Sequence, residues 1–309
     1  MESINLNLSS QSTNNSSIYF TLFPPLNTVD SNIYMQWQFS VSDISESDLK
    51  LLQLNYMSLN NCLIYSELSL NNKKVKHQNP SNVIHYKKHY VNLTENMSVE
   101  RNGSIFTVTE RFLNTMFDEQ QILYNVSRLD IHMNLHTNLF TRLFASELNG
   151  SVQLLKTFFN VKVYNPVETP VLCNVPFYQP NIHQCKYSDN EYRLHMLNQI
   201  PNKVYVYTDK SVQINSFSLT IPFICNGLFK ELTSKELWEL SVKNGSMQTY
   251  ELWCKASVLC FTIPHDINMN NVMIDYDIGL SDNDCDVIIV HDLSKTMVIS
   301  KDECSVQQK

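Results

Sequence analysis

Alternation constrains this chain more than any other feature. Ile33, Met35, Trp37, Phe39 and Val41 are apolar, with Tyr34, Gln36, Gln38 and Ser40 between them. Successive strand side chains point to opposite faces, so this period of two predicts a strand with one face buried. A helix would scatter the same residues around its circumference. Leu129, Ile131, Met133 and Leu135 repeat the pattern against Arg128, Asp130, His132 and Asn134, and so do Phe217, Leu219, Ile221 and Phe223 against Ser218 and Thr220. Shorter strands are expected at 18–22, 63–70, 105–109, 158–164, 204–207, 258–263, 272–278 and 287–291. Many short strands separated by polar turns predict a mainly β protein of the sandwich or jelly-roll kind.

Such a chain needs many turns but holds only 5 glycines. Asparagine tolerates the left-handed conformation better than other side-chain-bearing residues. Asn60-Asn61, Asn71-Asn72, Asn149-Gly150, Asn226-Gly227 and Asn244-Gly245 are therefore the expected turns.

Three helices are expected among the strands. Residues 188–200 open with Ser188-x-x-Glu191, a capping-box spacing, and stop at Pro201. Residues 137–148 carry Leu139, Phe140, Leu143 and Phe144 at helical spacing, with Gly150 beyond. Residues 233–243 are the clearest case. Thr233 is a good N-cap, Glu236 can reach back to its N–H, and Leu232 and Leu237 occupy the staple positions. Leu237, Trp238, Leu240 and Val242 form the expected apolar stripe, and Asn244-Gly245 ends it. Each half shows strands, a short helix and further strands. The layout predicts a flexible arm over 1–17, a first jelly roll over 18–149 and a second over 150–309.

Composition narrows the function. The chain has 309 residues, 43% hydrophobic, enough for two medium domains. Its net charge is -7 and its 23 Lys and Arg are scattered, so a basic stripe for nucleic acid is absent and no direct nucleic-acid binding is expected. No apolar run is long enough to predict a transmembrane segment. The eight cysteines form no tight framework and read as reduced thiols.

Candidate chemistry is sparse. His85 and His89 have the i, i+4 spacing of a helical zinc site, but Tyr86 stands where a metalloprotease needs its glutamate, and the flanks favour a strand. His183 with Cys185, and Cys254 with Cys260, lack the close pairing that structural zinc prefers. Asp275, Asp277, Asp282, Asp284 and Asp286 lack EF-hand spacing and read as a solvated loop. No nucleophile elbow, phosphate loop or dinucleotide fingerprint occurs. The expectation is no catalytic set, no cofactor and no metal. Trp37 reads as core. Trp238 and Trp253 flank the Asn244-Gly245 turn and either pack beneath it as core or anchor a subunit contact.

One stretch supports a resemblance. Pro201 precedes the strand Val204 to Tyr207. Later comes Leu237-Trp238-Glu239-Leu240-Ser241-Val242-Lys243-Asn244-Gly245, then Trp253, then Ser257-Val258-Leu259-Cys260 and the pair Asp266-Ile267. In order and spacing, residues 199–267 resemble the second jelly roll of the double jelly-roll major capsid proteins of Polinton-like and adintovirus type. Ile18-Tyr19-Phe20 and the strand 33–41 are loosely similar to the first. At Ile263-Pro264-His265 the chain departs from the family pattern, which has a glycine shortly before the Asp-Ile pair. The resemblance implies two tandem jelly rolls with a few short helices and a structural role without turnover. It also implies homotrimers that mimic a hexagon and tile an icosahedral shell by lateral trimer–trimer contacts. Penton or minor capsid proteins would be further partners, and the virion the place of action. Open alternatives are a jelly-roll binding module, such as a minor capsid or glycan-binding component, a co-opted cellular derivative, and an enzyme on a β-sandwich.

Overall fold

The computed structural model describes residues 3–10, 12–13, 16–78, 80–90, 97–114, 121–166, 168–222, 225–263, 271–301 and 303–308. Among the described residues strand accounts for 53% and helix for 15%, which settles the mainly β class. Up to residue 164 the elements are β1 (Ser3–Ser9), β2 (Ser12–Thr13), β3 (Ser17–Leu22), β4 (Thr28–Asp30), β5 (Tyr34–Ser42), α1 (Glu46–Leu51), α2 (Ser58–Asn61), β6 (Leu63–Leu70), β7 (Lys73–Gln78), α3 (Pro80–Lys87), β8 (Ser98–Asn102), β9 (Ile105–Arg111), β10 (Ile122–Tyr124), β11 (Leu129–Leu135), α4 (Leu139–Leu143) and β12 (Ser151–Tyr164). Then follow β13 (Cys173–Lys186), β14 (Leu194–Leu197), β15 (Lys203–Thr208), β16 (Ile214–Ile221), β17 (Cys225–Thr233), α5 (Ser234–Lys243), α6 (Tyr250–Lys255), β18 (Leu259–Thr262), β19 (Val272–Leu280), β20 (Asp286–Ile299) and β21 (Cys304–Gln308).

The topology contains the same plan twice. In the first roll one sheet runs β1-β12-β5-β9, with β8 on its edge, and the other runs β3-β11-β6-β7, with β2 on its edge. In the second roll the sheets are β13-β20-β15-β18 and β14-β19-β16-β17. Counting each set of eight from first to eighth, both rolls place first, eighth, third and sixth in one sheet. Second, seventh, fourth and fifth form the other. This is the double jelly roll.

Register follows the alternation. Ile131 on β11 stands between Phe20 on β3 and Leu68 on β6, and all three are buried. Trp37 on β5 stands between Thr157 and Val108. Rings then meet across the two sheets: Phe20 meets Phe159 edge-on at 4.3 Å in the first roll, and Phe217 meets Phe261 at 5.2 Å in the second.

Two expected boundaries move. The stretch 1–17, expected as a flexible arm, contains β1, which pairs antiparallel with β12 from Ser3↔Tyr164 to Ser9↔Phe158. It is the first strand of the first roll. The expected junction at 149–150 falls just before β12, that roll's eighth strand. By compactness one unit comprises 1–85, 92–177 and 295–309, and the other 86–91 and 178–294. Local alternation announces a strand but carries nothing about its distant partner, which explains both misplacements.

Other elements differ in detail. The helix expected over 188–200 is a single 3-10 turn at Tyr187–Asp189 followed by β14. His195 and Leu197 are buried while Leu194 and Met196 face out, a strand period that outweighs the capping signal. The helix expected over 137–148 is only α4, capped by Asn138 rather than Thr137. Gly150 lies against the Phe140 ring, where a Cβ would come within 2.5 Å. Asn71 and Asn72 both have positive φ between β6 and β7, as expected of that turn. Asn226-Gly227 lies within β17, and Asn60-Asn61 lies in α2. Among the described residues, six of the nine non-glycine positions with positive φ are asparagine: 27, 71, 72, 125, 190 and 271.

Candidate functional site

The connection from β17 to β18 holds the segment that the sequence singles out. The Thr233 N–H donates to Glu236 Oε2 at 2.8 Å, and the Thr233 hydroxyl donates to the same oxygen at 2.7 Å. These two bonds, the backbone one first, hold the Glu236 carboxyl below its usual range. Leu237 and Ser241, one turn apart, are fully buried. The Ser241 hydroxyl donates to the Leu237 carbonyl at 3.0 Å and accepts the Cys260 N–H at 3.1 Å, which ties α5 to β18.

The expected stripe is narrower than its residues suggested. Trp238 and Leu240 are half-buried, and Val242 is exposed. At 3.6 residues per turn Val242 lies about 140° around the helix from Leu237, so the face that buries Leu237 cannot cover it. Asn244 caps the end, its side-chain amide donating to the Leu240 carbonyl at 2.8 Å, and Gly245 takes φ +97°.

Beyond the turn lies α6, a second helix that the sequence reading passes over. Trp253 on it is fully buried, and its indole N–H donates to Ser234 Oγ at 3.0 Å. Trp238 donates its indole N–H to the Gln248 carbonyl at 2.8 Å and meets Tyr250 edge-on at 5.5 Å. Buried Gln248, also unforeseen, donates to the Ala256 carbonyl and accepts the Val258 N–H. Val258, Leu259 and Cys260 are core, and burial pushes the Cys260 thiol up to about 12, so it behaves as a small hydrophobe. Pro201 is buried just ahead of β15, which pairs with β18. Asp266 and Ile267 lie outside the described residues. The motif is thus a scaffold around one capped helix, with Val242, Met247, Tyr250 and Leu252 exposed on the α5–α6 connection.

The other candidates separate. His85 lies in α3, where a strand was expected, and His89 follows in a turn. Asp275 and Asp277 are on β19, Asp282 and Asp284 in the loop beyond, and Asp286 on β20. Asp284 pairs with Lys210 at 2.7 Å, and Asp277 with Arg193 at 3.9 Å. These are exposed pairs of small energetic weight.

Three histidines do come together in the second unit. His183 is on β13, His195 on β14 and His291 on β20. Their ring centroids are 4.4 Å (183–195), 5.3 Å (183–291) and 5.1 Å (195–291) apart, all edge-to-face. One ring nitrogen of each lies within 4.8 Å of the others. His195 Nε2 donates to the Tyr192 carbonyl at 2.9 Å, and His291 Nε2 bonds Tyr276 Oη at 2.9 Å. His195 Nδ1, His291 Nδ1 and His183 Nε2 are buried without a partner among the described residues. Burial lowers the pKa of all three, His195 to about 4, with the neighbouring imidazoles adding to the effect on His195 and His291. Sequence reading weighed His183 with Cys185 and missed His195 and His291. The one available signal was a histidine ending the apolar run Val287-Ile288-Ile289-Val290-His291.

No known family model and no curated protein sequence matches the chain. Solved structures do match in fold. A chain of the Sputnik virophage, determined by cryo-electron microscopy, superposes with TM-score 0.76 at 12% identity over 99% of this chain and 88% of that one. The mavirus major capsid protein gives TM-score 0.71 at 12% identity over 98% and 90% of the two chains. The Faustovirus major capsid protein gives 0.60 at 8% over 97% and 90%. At these identities the likeness is one of fold, and it spans both jelly rolls.

Proposed function

We propose that this chain is a structural capsid protein, built to form homotrimers with a pseudo-hexagonal outline that tile a viral shell. The observation that carries this reading is the tandem pair of jelly rolls with identical strand order, matched over nearly the whole chain by viral major capsid proteins. Two like rolls per chain give a trimer six similar sides, so one protein can occupy a hexagonal lattice position. The work done is then geometric, without turnover. Many weak lateral contacts add up to a stable shell once trimers repeat. The scattered basic residues and net charge of -7 fit a shell whose attachment to the genome does not run through phosphate contacts. Penton and minor capsid proteins would complete the shell, and the virion is the place of action.

The test is the mass of the purified chain in solution, by light scattering, together with negative-stain images. A trimer with a hexagonal outline is the expected result. A chain that stays monomeric at tens of micromolar, with no lattice on concentration, would sink the proposal.

A further inference from the structure

We propose that His183, His195 and His291 form a binding site for a divalent transition metal ion of the zinc class, which cross-links the two sheets of the second jelly roll. Three observations meet there. The rings converge at centroid spacings of 4.4, 5.3 and 5.1 Å. A tetrahedral ion with bonds of 2.0–2.1 Å to imidazole would set such rings about 5 Å apart. The ring nitrogens left over, Nε2 of His183 and Nδ1 of His195 and His291, are buried and make no hydrogen bond. No described residue satisfies them, and a buried lone pair without a donor is costly.

The outward-facing nitrogens of two of these histidines are already hydrogen-bonded. The Tyr192 carbonyl can only accept, so His195 carries its proton on Nε2 and turns the Nδ1 lone pair inward. His291 Nε2 is engaged by buried Tyr276 Oη on β19, which likewise leaves Nδ1 to face the cluster. Zinc-class ions favour neutral imidazole, whereas magnesium and calcium favour oxygen. The nitrogens lie within 4.8 Å of one another, against about 3.3 Å in a tetrahedral site, while the ring centroids already stand near the required spacing, so binding turns the rings to close the nitrogen separations by up to about 1.5 Å. His183 lies at the half-open side, beside a pocket of about 370 Å³ also lined by Cys185 and Glu191, which offers an entry path and room for water as fourth ligand.

β13 and β20 belong to one sheet and β14 to the other, so three bonds to one ion hold both faces of the roll. That makes the site structural, independent of whether the chain builds a shell.

The experiment uses the full chain, stripped with chelator and dialysed against zinc or cobalt(II). One equivalent bound, a melting temperature raised by several degrees and a tetrahedral cobalt spectrum are expected. His183→Gln, at the half-exposed ligand, should fold with the metal-free melting temperature, bind at least tenfold more weakly and lose the zinc-induced shift. No uptake by the wild type would overturn the proposal, as would uptake unchanged in His183→Gln. If that variant fails to fold, X-ray absorption on the zinc-loaded wild type decides. A nitrogen and oxygen shell fitting three imidazoles supports the site, and any thiolate ligand or a single imidazole refutes it.

Discussion

Glu110 on β9 is a buried carboxylate surrounded by donors. The Ser58 hydroxyl (2.8 Å), the backbone N–H of Leu59 (3.0 Å) and the Asn60 side-chain amide (3.1 Å) all point at it. Glu110→Gln would turn an amide NH2 toward these donors and should cost about 1–3 kcal/mol. Burial, outweighing these bonds, raises its pKa above the usual carboxylate range. The unfolded chain keeps the ordinary value, so between the two values the folded state binds more protons. The stability that Glu110 contributes is complete below the ordinary pKa and declines as pH rises through the raised one. Urea melts at a series of pH values should show the wild-type-minus-variant difference shrinking with pH above about 4, and a growing difference would contradict the assignment. Ser241→Ala strands the buried Cys260 N–H and should likewise cost about 1–3 kcal/mol, measured by the same melts. Neither contact was legible in the sequence, because each joins residues that only the tertiary structure brings together.

At the scale of the element, the two tryptophans of the α5–α6 segment divide. Trp253→Ala removes a fully buried indole and should cost about 3–5 kcal/mol. Trp238 is half-buried, and Trp238→Ala should cost about 1–2 kcal/mol in the isolated chain. Equal losses in denaturant melts would place both in the core. If the chain trimerises through this connection, Leu252→Glu should lower the trimer fraction in light scattering while leaving the monomer's melt unchanged. The helix start at Thr233 was readable, because capping is a local contest among neighbouring residues. The 188–200 segment shows the limit. Its Ser188-x-x-Glu191 pair satisfied the same local rule, yet the alternating burial of residues 194–197 in a sheet prevailed. The histidine cluster was out of reach for the same reason, since its three members sit on three strands.

Across the whole molecule, the sequence conveyed two jelly rolls by count and layout of strands but not their limits. Strict alternation at 33–41 and 129–135 marked central strands nearly to the residue. The first roll's own first strand, Ser3-Ile4-Asn5-Leu6-Asn7-Leu8-Ser9, does alternate, but its three apolar residues sit in a polar stretch and face a sheet side only half covered, too weak a signal to set it apart from an arm. Deleting residues 1–9 should lower the melting temperature by several degrees, because β12 loses one of its two partners, and an unchanged melt would restore the view of a dispensable arm.

That strand order also sets a timetable for synthesis. Ser9 leaves the ribosome well before its partner Phe158, on the order of 150 residues later in the chain. At ribosomal speed the wait is roughly ten to thirty seconds. During it a bare strand edge is open to any passing chain, the situation in which apolar segments aggregate. Asn5, Asn7 and the flanking serines make that edge a poor template. The same modest apolar content that disguised the strand in the sequence suits it to being made long before its partner.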